Sequence, residues 1–245
     1  MQKIKSQNSA LFEIINRQRW NNSFLINALE SVEVDEIVAY GGSVAVHQKE
    51  TGYWLFGIDK KGDFKELCSR LQKPLDTFYV NDHTVFDEIL EVFPQAQAQE
   101  YIQYILESDE FVPNEAAVNH EIEVVPLDSS WTEFILTLYH NPEFATPEYI
   151  NRCIELNSGF GALWNGQRVG YVTIHLDGEI GSMVISEYAR GKGVGRTLMQ
   201  HITPEYARRA SIGCGFVLPD NMASRRMMEN SCFTSLGRNI IWVYH

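Results

Sequence analysis

No run in this 245-residue chain approaches the roughly 18 consecutive apolar residues that a membrane span requires. The first residues, Met1 to Asn8, lack the apolar centre of a secretory signal. Both absences predict a soluble, cytoplasmic protein with no membrane partner. Positive charge is scarce too: 20 Lys and Arg stand against 32 Asp and Glu, for a net charge of −12. Nucleic-acid surfaces are usually basic, so that balance argues against such a partner. Cysteine is sparse. Cys68, Cys153, Cys214 and Cys232 are scattered, form no C-x-x-C pair and have no His at zinc-ligand spacing, so no metal site is expected and the four read as buried free thiols. No segment is low-complexity and no period repeats. What the chain does have is 44% hydrophobic and 12% aromatic residues, enough for a packed core.

Apolar spacing predicts a helix over residues 11–30. A hairpin follows, 36–40 with 43–47, turning on Gly41-Gly42, where both central positions can take positive φ. Further elements are a strand at 53–56, a helix at 63–71, a strand at 77–80, a helix at 84–93 stopped by Pro94, and a strand at 98–106. Residues 111–119, with Pro113 and Asn114, read as an interdomain connection, giving a smaller α/β domain over 1–112 and a second domain over 119–245. The second half reads as a strand at 121–125, helices at 129–139 and 148–156, and strands at 161–164, 169–175 and 179–185. Its hairpin turns are Asn165-Gly166 and Asp177-Gly178. A helix carrying Leu198, Met199 and Ile202 should end, kink or restart at Pro204. A strand at 212–218, a helix at 222–229 and a strand at 240–244 close the chain.

Chemistry concentrates between the 179–185 strand and the next helix, in Glu187-Tyr-Ala-Arg-Gly-Lys-Gly-Val-Gly-Arg-Thr197. Gly191, Gly193 and Gly195 alternate, so backbone N–H groups can approach a ligand closely. The helix that follows presents its unbonded N–H groups and positive dipole end at the same place. Arg190, Lys192 and Arg196 add positive charge to an otherwise acidic chain. Together these describe a diphosphate site. A Walker loop fails, because its leading Gly is Arg190 and its Lys is Arg196; a dinucleotide fingerprint fails because its third Gly is Arg196. The pattern that fits is R-x-x-G-x-G, through Arg190, Gly193 and Gly195.

With that loop, the hairpin strands before it and Asn221 opening a later helix, residues 120–245 resemble the GNAT superfamily of acyl-CoA-dependent N-acyltransferases. The resemblance implies an α+β fold, a mixed and mostly antiparallel sheet flanked by helices. It implies acetyl-CoA or another acyl-CoA as cofactor and a small-molecule amine or amino acid as acceptor. It implies that the backbone of Met183, Val184 and Ile185 pairs with the pantetheine arm. The N–H groups of Gly191, Lys192, Gly193, Val194, Gly195 and Arg196 would hold the pyrophosphate. Asn221 and Ser224 match positions that touch the cofactor further along, although Asn221 also reads as a plain helix N-cap. Two positions depart from the family: Met228 stands where a Tyr is the usual general acid, and Cys232 where Gly is usual. Glu179 matches the family's base, and Asp177-Gly178-Glu179 resembles the glycine N-acyltransferase-like branch, which likewise carries an N-terminal domain. Residues 1–112 would then be a degenerate, similar domain completing the acceptor cleft.

His175, Tyr188, Cys214 and Tyr244 are weaker candidates. His175 and Tyr188 could line the cleft or simply pack, Cys214 lies inside an apolar strand and reads as core, and Tyr244 reads as core or sheet edge. Met228 also leaves open a different role, a GNAT-like module that binds acyl-CoA without catalysis.

Overall fold

The structure, a computed structural model, describes residues 9–81, 83–109, 111–139 and 145–244. Two helices come first, α1 (Ser9–Arg17) and α2 (Ser23–Ser31). The single helix expected over 11–30 is broken, because buried Asn22 turns its side chain back to the Ile15 carbonyl (3.2 Å) and so caps α1. Strands β1 (Val34–Tyr40), β2 (Ser43–Gln48) and β3 (Trp54–Gly57) follow. Of the Gly41-Gly42 pair only Gly41 takes positive φ (58°); Gly42 instead leaves room for the Asp59 carboxylate. Helix α3 (Asp63–Cys68), β4 (Thr77–Val80), α4 (Phe86–Val92) and β5 (Gln97–Glu107) complete the first half.

The second half runs β6 (Ile122–Pro126), α5 (Thr132–Leu138), α6 (Pro147–Leu156), β7 (Gly159–Trp164), β8 (Gln167–Ile174) and β9 (Ile180–Ile185). Then come α7 (Val194–Ala207), β10 (Ile212–Val217), α8 (Met222–Glu229) and β11 (Thr234–Tyr244). Pro204 neither ends nor divides α7. The helix continues through it, held by Ile202, Thr203 and Tyr206, which are all fully buried. Both Asn165 and Gly166 have positive φ, as a two-residue turn of the favoured hairpin hand requires.

Among the described residues the strands form two sheets. Seven lie in the order β1-β2-β3-β4-β11-β5-β10 and four in the order β6-β7-β8-β9; every pairing is antiparallel except β3 with β4. This is the mostly antiparallel, helix-flanked α+β architecture expected from the sequence. The expected boundary near residue 112 is crossed by the larger sheet, in which β5 lies between β11 and β10. Cores occupy both faces: α1 and α2 bury Ile15, Leu25 and Leu29 against one, while α7 packs Leu198, Met199 and Tyr206 where the two sheets meet. The halves are also stitched by hydrogen bonds. Asn27 donates to the Ile212 carbonyl (3.2 Å) and Gln48 to the Asp177 carbonyl (2.9 Å).

The cysteines depart from expectation. Cys153 and Cys214 are buried, Cys68 is half-buried and Cys232 is exposed; all four are free thiols.

Candidate active site

Strand β9 ends the smaller sheet and β10 ends the larger one, and the two do not pair. Their facing edges therefore keep backbone N–H and C=O groups available, as edge strands do. Between them opens a cavity of about 860 Å³. Met183, Val184 and Ile185 line one wall and Phe216 and Val217 the other, with Asn221, Ser224, Met227 and Met228 of α8 closing one side.

The glycine-rich loop forms the end of this cleft. Gly191 (φ 75°) and Gly193 (φ 84°) take the left-handed conformation that glycine alone adopts without cost. Gly193 is the N-cap of α7 and has no side chain to give, so the first N–H groups of this 14-residue helix have no side-chain acceptor. A side chain at Gly195 would meet Met227, its β-carbon only 2.8 Å from Cε. Arg190, Gly191, Gly193, Val194, Gly195 and Arg196 all line the cavity. Lys192 does not: its ammonium lies over the Trp164 ring, 5.3 Å from the centroid, and its carbonyl accepts from Asn119 (2.8 Å). Two of the three expected cations thus reach the cleft. Asn221 lines it and also caps α8, its side chain accepting from Ser224 N (3.1 Å).

A long cleft with an open strand edge, a bare helix N-terminus and two guanidinium groups fits an extended thioester carrier with a diphosphate. Arg190, Arg196 and the loop N–H groups would hold the diphosphate; the edge of β9 would hold the amide-bearing arm.

Glu179 lies beyond the far side of Phe216, just ahead of β9. A small void there, about 10 Å³ and so room for about one water, is lined by Glu179, Asp177, Tyr79, Cys214 and Phe216. Phe216 borders this void and the main cleft alike. Glu179 Oε2 is enclosed and has no hydrogen-bond partner among the described residues. Burial, and then the neighbouring Asp177 charge, push the Glu179 carboxyl well above its ordinary range. Asp177 is also raised by burial, opposed by His175 and by hydrogen bonds that include one from the Tyr79 hydroxyl. The first half of the chain supplies Phe24, Leu55 and Tyr79 to the walls of this void.

Among the weaker candidates, Tyr188 is 58% exposed, and its hydroxyl donates to the Arg168 carbonyl rather than facing the cleft. Cys214 is core, with its backbone bonded through N and O to the Tyr206 hydroxyl (2.8 and 2.6 Å). Tyr244 packs on Trp242 in β11, the ring centroids 5.1 Å apart. His175 sits behind the β9 wall. Its Nε2 is 3.1 Å from Ser182 Oγ and its Nδ1 is 2.8 Å from Tyr149 Oη. Ser182 and Tyr139, whose hydroxyls are 3.1 Å apart, both line the cleft. Sequence reading passed over both. Tyr139 ends a helix far upstream, and the exposure of Ser182 comes from a bulge that leaves no residue-type signature.

Comparison with known proteins agrees with this geometry. Residues 127–232 match the model of the acetyltransferase (GNAT) family. A Drosophila protein of known structure superposes with a TM-score of 0.73 at 12% identity, over 97% of this chain and 96% of the other. A GCN5-related N-acetyltransferase-like protein from Streptococcus suis superposes at 0.57 and 14% identity, covering 95% and 99%. A GCN5-related N-acetyltransferase from Kribbella flavida does so at 0.54 and 11%, covering 92% and 94%. No curated protein matches the chain significantly by sequence. Residues 127–232 thus carry the match to the acetyltransferase (GNAT) family, and the neighbours share the fold of nearly the whole chain.

Proposed function

We propose that the protein transfers an acyl group, acetyl in the simplest case, from coenzyme A to the primary amine of a small molecule. The observation that carries this reading is the cleft between the unpaired edges of β9 and β10. It has a bare helix N-terminus with Arg190 and Arg196 at one end, and just past the other a half-buried Glu179 whose Oε2 has no hydrogen-bond partner among the described residues.

Each part answers a need of the reaction. The acceptor amine must be neutral to attack, and Glu179, with its proton affinity raised by burial, is suited to take the ammonium proton directly or through the water its void can hold. N–H groups on the free edge of β9 polarise the thioester carbonyl as charge develops on its oxygen. The diphosphate end fixes the carrier so that the carbonyl is held near the acceptor. Coenzyme A, when bound, supplies the activated thioester.

Glu179→Gln keeps the shape and removes the base. Release of free coenzyme A should fall by about a hundredfold or more while cofactor affinity holds, because a positioned acid–base group contributes roughly 10²–10⁴. Unchanged turnover would remove Glu179 from the chemistry. A second reading, a module that binds acyl-CoA without turnover, is favoured by Met228. Its side chain has no proton to donate and is packed into the core, Cε lying 2.7 Å from where a β-carbon of Gly215 would stand. Coenzyme A binding with no thiol release on any amine would select that reading.

A further inference from the structure

One face of the larger sheet carries a row of aromatic side chains. Alternation along the strands turns Tyr79 of β4, Trp242 of β11, Tyr101 of β5 and Phe216 of β10 to the face that α1 and α2 cover. Tyr53 joins them just ahead of β3. Register keeps the row continuous: Tyr79 stands opposite Trp242, and Ile240, on the same face of β11, stands opposite Tyr101. The Tyr79 ring lies 5.3 Å from that of Phe216, 6.2 Å from Tyr53 and 6.4 Å from Trp242, centroid to centroid. The helices bury only part of this face. Ile105 and Ile212 are covered, whereas Tyr53, Tyr101, Phe216 and Trp242 stay half-buried. The turn carrying Asp177 and Glu179 sits beside them. Gln48 donates to its Asp177 carbonyl (2.9 Å), and Gly178 lies so close to α2 that a β-carbon would meet Ser31 and Asn27. Both carboxyls line one small void with Tyr79 and Phe216. Burial, and then charges that include Asp177 and Glu179, push the Tyr53 hydroxyl up to about 12; burial and then Glu179 do the same to Tyr101. Among the described residues the one charge that bears on Glu179 is that of Asp177, so no Lys or Arg offsets it.

We propose that this aromatic face is the acceptor subsite and that it selects a primary ammonium on an apolar carbon skeleton, without a carboxylate. The inference rests on the acyl-CoA reading of the cleft and narrows its acceptor. An ammonium brings the positive charge that Asp177 and Glu179 lack, and the faces of the rings attract it further through their quadrupoles. Its apolar skeleton covers the half-buried rings, on which an aryl group packs offset or edge-on. Phe216 borders both the void and the main cleft, so an amine beside Glu179 stands at the entrance to the thioester. An α-amino acid is disfavoured on the same face. Its acid group is only two bonds from the nitrogen, so a pose that brings the amine to Glu179 brings a second negative charge beside two carboxyls. That charge would be desolvated with no cation among the described residues to receive it. The net charge of −12 acts in the same sense at long range, drawing cations towards the protein.

The test sets amines against the amino acids that share their side chains: phenethylamine against phenylalanine, and isoamylamine against leucine, with glycine beside them. Release of free coenzyme A from acetyl-CoA by the full chain gives kcat/KM for each. Calorimetric titration, with and without coenzyme A, gives the dissociation constants without turnover. Each amine should lead its amino acid by about a hundredfold or more in kcat/KM and in affinity. Tyr101→Leu and Trp242→Leu, in different strands so that one local folding defect does not decide the matter, should each raise the KM for phenethylamine about tenfold. The thermal shift with coenzyme A should hold in both. Equal or better use of an amino acid or of glycine would overturn the proposal, as would phenethylamine binding that neither substitution weakens. The two layers fail separately. Amine binding with no thermal shift by coenzyme A would keep the acceptor face and discard the cofactor. A clear shift with no binding of either amine would do the reverse.

Discussion

Gly181 and His175 lie so close together that a β-carbon on Gly181 would enter the van der Waals envelope of the imidazole. The ring is hemmed in by Tyr149 and Ser182 on its two nitrogens, so it cannot yield without losing one of those bonds. Gly181→Ala should therefore lower stability by about 1–3 kcal/mol, the usual cost of overpacking. Chemical denaturation of the variant beside wild type would check it; unchanged stability would mean that the ring has room to move.

Glu179 sets activity against stability. Its carboxyl is raised well above its unfolded value, so the folded protein holds a proton that the unfolded chain releases more easily. The unfavourable contribution is absent below the unfolded pKa of about 4.3, and it grows as pH rises towards the folded value. Glu179→Gln should thus raise Tm at neutral pH and have little effect near pH 4, one pKa unit being worth about 1.4 kcal/mol. Wild-type turnover should rise with pH through the raised folded value, because the base works only when ionised. A Tm difference that does not change with pH would contradict the assignment.

The loop cations should not be equivalent. Arg190 and Arg196 line the cleft and Lys192 lies on Trp164. Arg190→Ala should weaken coenzyme A binding by about tenfold, whereas Lys192→Ala should change it little. Gly193→Asp should weaken it most, since it strains a φ of 84° and puts a carboxylate at the helix N-terminus. Wild-type protein at about a hundred times the dissociation constant should gain roughly 2.7 kcal/mol, enough for titration of each variant by thermal shift.

Cys232 has φ of 66°, just where the family usually has glycine. Its neighbour Phe233 donates back to the Met228 carbonyl (3.1 Å), so the turn after α8 holds that conformation. Cys232→Gly should stabilise the protein by up to about 1 kcal/mol, the left-handed penalty being partly offset by the looser unfolded chain of glycine. Chemical denaturation with and without the substitution would measure it.

What could be read from the sequence follows how local its cause is. The Asn165-Gly166 turn, the β4 and α8 segments and the loop from Arg190 to Arg196 are set by nearby residues, and the pattern shows them. Asn22 breaking a helix was hidden, because its reason is a buried side chain turned back on Ile15. Lys192 looked equivalent to Arg190 because only the fold places Trp164 beneath it. Ser182 was invisible for the same kind of reason: a bulge is a property of two strands and their register, and serine carries no mark of it. Glu179 was found by resemblance. The enclosure that would make it a base needed residues from the far half of the chain, Phe24, Leu55 and Tyr79.

Strand β11 is inserted between β4 and β5, although about 130 residues separate it from the nearer of them in the chain. During synthesis, β4 and β5 must wait with unpaired edges until residues 234–244 have left the ribosome. Non-local pairing of that kind slows folding and prolongs the exposure of sticky strand edges. Truncation before residue 234 should accordingly give aggregates rather than an independently folded fragment, and expression yield should depend on chaperone supply.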